Sequence, residues 1–228
     1  QNHTVEEFSG TFRTIYKNKR FLKLATVFLL SSIAASIPAT TVLFYIKDVL
    51  DAEPYFGLYL ALYFVCALAG MPLWYKLSRR YNKKTSWMIS MTGSVIGFIW
   101  ATFLGLGDYI SYGFICVITG ICLGGDLSMP ASLLSDLLQK STNKGKYFGV
   151  WGMLGKSSIA IAGSLGLFAL GIMGYVPGET PTDDIRFSIS ISYALIPCFI
   201  KLISLICLSV MSIDTPNNGS RRNHEQNF

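Results

Sequence analysis

Three ionisable side chains, Asp126, Lys156 and Lys201, stand deep inside apolar stretches of the chain. Their types and setting suit the recognition of a polar solute or the formation of internal ion pairs: an ammonium donates to hydroxyls and carboxylates, and an aspartate accepts. Lys156 is the only charged side chain between Lys146 and Glu179. Nine helical steps from Tyr147 put it about 13 Å into a segment that needs about 30 Å to cross a bilayer, close to the midplane. An ionisable group at that depth costs about 3 kcal/mol or more and marks a functional position by default.

The surroundings of each charge separate the readings. On a helical wheel Gly145, Gly149, Gly152, Lys156, Ala160 and Gly163 fall in one stripe, so Lys156 projects from a face of small residues. Such a face admits a neighbouring helix or a ligand, and Gly152 and Gly149 belong to the candidate site with it. The bland alternative is a lysine that snorkels or forms a structural pair. Asp126 follows Gly120, Gly124 and Gly125 and precedes Pro130, a pattern expected of a broken or kinked helix beside a cavity. An Asp126 to Lys156 contact is the obvious pairing, for a bound solute or as a structural ion pair. Lys201, four residues after Pro197, is a candidate for the same cavity or for gating. Ile200, Leu202 and Ile203 give it no small or polar face and favour a structural placement. Asp136, near the end of its segment, is with Gly149 and Lys201 a candidate cavity or gating residue, and its place favours an interface or loop anchor. Trp151, about 140° from Lys156 on the wheel, should pack against a neighbouring helix or lipid. Trp74 and Trp87 stand where interfacial anchors would.

Other chemistry is absent from the pattern. No phosphate-cradling loop, nucleophile elbow or acid/base pair is present, so an enzyme is not expected. Cys66, Cys116, Cys122, Cys198 and Cys207 all lie in apolar runs without a CxxC and read as small buried hydrophobes. His3 and His224 lie at the polar ends, so neither a metal site nor a cofactor is expected.

The elements that must hold these residues follow from composition. Of 228 residues, 51% are hydrophobic and 14% charged, and the mean hydropathy is +0.45, the make-up of an integral membrane protein. The net charge of +6 comes from short clusters between apolar runs, with no basic face for nucleic acid. Charges and turns mark six predicted spans, at about 24–46, 54–76, 86–107, 109–138, 147–173 and 186–212. Three have uncharged interiors and three carry Asp126, Lys156 and Lys201 inside, compatible with a three-plus-three repeat. Pro54 suits the first turn of the second span, and Pro38 could kink the first. The basic loops SRRYNKK (78–84) and QKSTNKGK (139–146), with Arg221 and Arg222, oppose loops holding Asp48, Asp51, Glu53, Asp108, Glu179, Asp183 and Asp184. Both termini are therefore expected in the cytoplasm, with the bundle spanning residues 21–212 of an inner or plasma membrane. Residues 1–20 place Phe8, Phe12, Ile15 and Tyr16 at helical spacing, which suits an amphipathic linker on the membrane lipids or a mobile basic tail. Residues 213–228 form a polar tail. The chain opens on Gln1 without a signal peptide and reads as part of something longer.

The run YFGVWGMLGKSSIAIAG (147–163), then GYVPG (174–178) and ISYALIP (191–197), with KNKRF (17–21), SRRYNKK and SLLSDLL (132–138), resembles the C-terminal half of the glycoside-pentoside-hexuronide:cation symporters. These are the melibiose-carrier family of the major facilitator superfamily. The resemblance covers nearly the whole chain. It implies an all-α fold, a six-transmembrane-helix bundle that is one half of a twelve-helix carrier whose N-terminal half is missing here. It further implies symport of a sugar or glycoside with Na⁺ or H⁺ by alternating access. Lys156 matches the family's cavity lysine on the eleventh helix, and Asp136 an aspartate at the cytoplasmic end of the tenth. Where the melibiose carrier has a sugar-stacking tryptophan, this sequence has Leu127, and Lys201 has no counterpart. The family's cation-binding aspartates belong to the absent half. The alternatives are a carrier of a lipid or other amphiphile in the same superfamily, or a truncated membrane protein that acts only as an interaction partner.

Overall fold

A computed structural model describes residues 17–139, 141–176, 178–179 and 181–211. The expected linker helix over the first residues, Arg221, Arg222 and the polar tail lie outside these described residues. Within them all regular structure is helical. Helix α1 (Lys19–Phe44) runs on into a π-helical turn at Tyr45–Val49. A single 3₁₀ turn, Glu53–Tyr55, leads into α2 (Phe56–Arg80), with Pro54 in the opening turn where its missing N–H is harmless. Then follow α3 (Lys83–Ala101), α4 (Tyr109–Leu137) and α5 (Lys144–Ile172). The last stretch is α6 (Asp183–Ser190), a π-helical turn (Ile191–Leu195) and α7 (Ile196–Val210).

Five of these stretches are long and apolar enough to cross a membrane: Lys19–Val49, Glu53–Arg80, Tyr109–Leu137, Lys144–Ile172 and Asp183–Val210. Helix α3 is the exception, and its composition explains it. It turns Ser86, Ser90 and Ser94 into the bundle, where Ser86 and Ser90 donate to carbonyls of Asn82 and Trp87 at 2.8 and 2.9 Å. The third helix also stops at Ala101, six residues short of the expected 107. Gly105 and Gly107 follow in a turn that Gly107 enters at φ 87°, and Asp108 accepts from the Gly105 N–H at 2.9 Å.

Helix α4 packs on α2, α3 and α1, α1 packs on α5 and α7, and α3 on α7. The closest approach is α2 on α4. A Cβ added to Gly120 would lie 2.5 Å from the Tyr63 carbonyl oxygen, and one on Gly124 2.5 Å from that of Ala67. Gly70 on α2 meets the Ile121 carbonyl in the same way. Small residues thus bring two backbones together. Of the expected broken or kinked helix beside a cavity, the break is absent: α4 is continuous through these glycines and Pro130.

Two apolar layers form the core. One lies towards the basic loops and includes Phe21, Trp74, Trp87, Met91, Leu134 and Trp151. The other lies towards the acidic loops and is aromatic, with Tyr45 stacked on Tyr193 at 4.2 Å and Tyr112 bonded to Tyr193 through their hydroxyls at 2.8 Å. At that acidic end Tyr175 donates to Asp48 at 2.6 Å. Partial burial and this carboxylate together hold the Tyr175 hydroxyl above its usual pKa range.

Candidate functional site

Between the two apolar layers lies a polar one. Asp126 forms an ion pair with Lys201, and both side chains are almost fully buried, at 7% and 5% exposure. The second Asp126 oxygen, Oδ1, accepts from Trp87 Nε1 at 3.1 Å and from Ser90 Oγ at 3.4 Å. Three helices, α3, α4 and α7, therefore converge on one carboxylate. A lone carboxylate or ammonium here would cost several kcal/mol, and the pairing with two further donors offsets that desolvation.

The pair borders a small, partly open cavity of a size for a water molecule or a small ion. Tyr63, Ser94 and Thr119 line it together with Ala34, Phe98 and Pro197. Pro38 and Pro130 have no N–H to give to the carbonyls four residues earlier, those of Ala34 and Asp126, and both of these residues line the cavity.

The expected Asp126 to Lys156 pairing is not formed. Lys156 lies on the opposite, open side of α5, and among the described residues it makes no hydrogen bond or ion pair. Helix α5 presents Tyr147, Trp151, Ser158, Ala162 and Gly166 to α1 and turns the Lys156 face outward. Trp151 stacks on Phe28 at 3.9 Å, a helix contact of the kind expected. Gly145, Gly149 and Gly152 have open space above them, while Gly163 meets Thr40 of α1. The Lys156 backbone is twelve residues, about 18 Å, along α5 from Lys144, and Asp126 and Lys201 lie eleven and nine residues from the ends of their helices at Leu137 and Val210. The structure thus holds two separate polar features: a closed pair inside the bundle and an open lysine on a bare face.

Asp136 anchors the turn between α2 and α3. Lys83 Nζ lies 2.6 Å from its carboxylate and 3.4 Å from the Ser132 carbonyl. Trp74 and Trp87 are not interfacial anchors. They are 5% and 0% exposed, and their N–H groups serve the Ile121 carbonyl (2.6 Å) and Asp126. Cys116, Cys122 and Cys198 are buried as expected, whereas Cys207 is exposed and Cys66 intermediate.

Lys201 was placed by its neighbours at 200, 202 and 203, which point to other faces. The informative neighbours lie three and four residues away. Pro197, Cys198, Lys201, Ser204 and Leu208 form one buried stripe, in which Ser204 donates to the Val27 carbonyl at 2.9 Å. Small and polar residues at that spacing were the available signal. The serine stripe of α3 was the corresponding signal for the other side of Asp126.

Comparison with known proteins adds a family and three relatives. The model for MFS/sugar transport protein matches residues 1–215. The sodium-dependent lysophosphatidylcholine symporter 1-A of Danio rerio is 22% identical over 216 residues, covering 91% of this chain and 40% of that protein. The glucuronide carrier protein homolog of Escherichia coli (strain K12) is 22% identical over 205 residues, 87% of this chain and 45% of that protein. The human sodium-dependent lysophosphatidylcholine symporter 1 is 20% identical over 223 residues, 94% and 41% respectively. The chain spans less than half the length of each of these relatives.

Proposed function

This chain belongs to the MFS/sugar transport protein family, and we propose that it is the second six-helix half of a secondary transporter that carries a sugar or glycoside with Na⁺ or H⁺ by alternating access. One observation carries this reading: a lysine at mid-helix depth stands exposed on a face of glycines with no partner among the described residues. Hydrocarbon is a costly neighbour for that ammonium, and a polar cavity closed by another bundle is a suitable one. The outer faces of α2 and α5 are mostly unburied, as they would be if an N-terminal half packs there. Lys156 then donates to substrate hydroxyls or a carboxylate from one wall of the central cavity, with Gly149 and Gly152 making room. On this reading both termini lie in the cytoplasm, which the basic loops between α2 and α3 and between α4 and α5 support.

A second reading concerns the solute. Two of the named relatives are lysophosphatidylcholine symporters, and the large side chains exposed at Leu127 and Met153 are apolar. An amphiphile with an anionic headgroup would use the same ammonium and lay its chain along those residues. Uptake by the full-length carrier in proteoliposomes, measured with a glucuronide, a neutral glycoside and a lysophospholipid, separates the two. With whichever solute is carried, Lys156→Ala should abolish cation-coupled uptake while leaving membrane insertion intact; unchanged coupled uptake would remove Lys156 from the site.

A further inference from the structure

The Asp126 pocket is more than an ion pair between two helices. Around one carboxylate it gathers oxygen groups of the kind that coordinate a hard monovalent cation. Ser94, Thr119 and Tyr63 line the adjoining cavity, Ser90 Oγ lies 3.4 Å from Oδ1, and Pro38 and Pro130 leave the carbonyls of Ala34 and Asp126, two residues of the cavity wall, without their usual helix donors. Carbonyls released within a span, next to a carboxylate and hydroxyls, are the donor set that binds a small cation at membrane depth. The cavity is partly open and adjoins the buried pair. The position facing Oδ2 is already taken by a positive charge, the Lys201 ammonium, delivered on a side chain of α7.

We infer that Lys201 is a tethered cation: its ammonium occupies, at Asp126, a site with the donors for a small monovalent cation, and thereby frees this half of the molecule from needing a bound ion there. The physical requirement is the same for both occupants. The Asp126 carboxylate is 7% exposed and sits against the Lys201 ammonium, and a buried negative charge requires such a positive partner. A covalently attached ammonium does so at any ionic composition, whereas a free ion does so only by mass action.

The prediction is that removing the tether makes the site ion-dependent. The full-length carrier and its Lys201→Met and Asp126→Asn/Lys201→Met variants are melted in detergent in NaCl, LiCl, KCl and, at equal ionic strength, N-methylglucamine chloride. The wild-type response, which includes any ion bound elsewhere, is the baseline. K201M should gain an extra rise in Tm of roughly 2 to 4 °C in NaCl or LiCl at a hundredfold excess over the dissociation constant. The double variant, which lacks the carboxylate, should respond like the wild type. The inference is overturned if K201M shows no extra response, if it cannot be recovered folded in any of the salts, or if the double variant shows the same gain. The melting assay does not depend on transport, so its failure and a failure of the carrier reading are distinguishable.

Discussion

Asp126→Asn should destabilise the bundle by about 3 to 5 kcal/mol, the cost of removing one partner from a buried ion pair. The amide keeps the shape and can still accept from Trp87 and Ser90, so packing is not the source of the loss. What changes is Lys201, left 4% exposed and positively charged with no counter-charge against it. No other described carboxylate lines the cavity, and the ammonium can be satisfied only by opening the contact of α7 with α3 or by losing its proton. Adding Lys201→Met to Asp126→Asn should recover most of the loss, because two neutral groups of similar size need no compensation. Thermal or denaturant unfolding of the two variants gives the comparison. A single variant as stable as the wild type would show that the pair is not desolvated as the geometry requires.

The second large effect concerns backbone approach. Gly120→Ala and Gly124→Ala should each cost about 1 to 3 kcal/mol, because the added methyl would lie 2.5 Å from a carbonyl oxygen of α2 that cannot rotate away. The helices must separate, and that also displaces the Trp74 N–H, which bonds the Ile121 carbonyl at 2.6 Å across the same seam. Gly113→Ala in the same helix has nothing within 4 Å and supplies the control. There, alanine's better helix propensity should stabilise by about 0.5 to 1 kcal/mol. Opposite signs for the same substitution, read by thermal unfolding, attribute the effect to interhelical distance; equal signs would refute the tight seam.

The helical architecture was legible in the sequence because charge is so costly in a bilayer that its positions mark where the spans end. The end of α3 was misplaced for a related reason. Residues 102–107 carry no charge, and hydropathy alone does not register that Gly105 and Gly107 turn the chain. The three interior charges were also legible one at a time. Which of them meet was not, since a wheel assigns faces within one helix and leaves the facing of helices to packing. Asp126 chose Lys201 over Lys156 because α4 contacts α3 and α3 contacts α7, while α5 touches chiefly α1. The glycines near Asp126 illustrate the same limit: one residue type serves both a broken helix and a close seam, and only the neighbour decides. Lys156 kept its predicted glycine face, and its bareness in this half is now a geometric fact with a consequence for what must cover it.

That consequence is tested most directly by chemical accessibility at residue 156. In the full-length protein, with every native cysteine replaced, Lys156→Cys should react with a membrane-impermeant methanethiosulfonate reagent from water, and a transported solute should slow the reaction. Water access and substrate protection together would place the residue in a central cavity between two bundles. A cysteine at 156 that reacts only with a lipid-soluble maleimide, and is indifferent to solute, would mean that this face of α5 looks into the bilayer and would contradict the account.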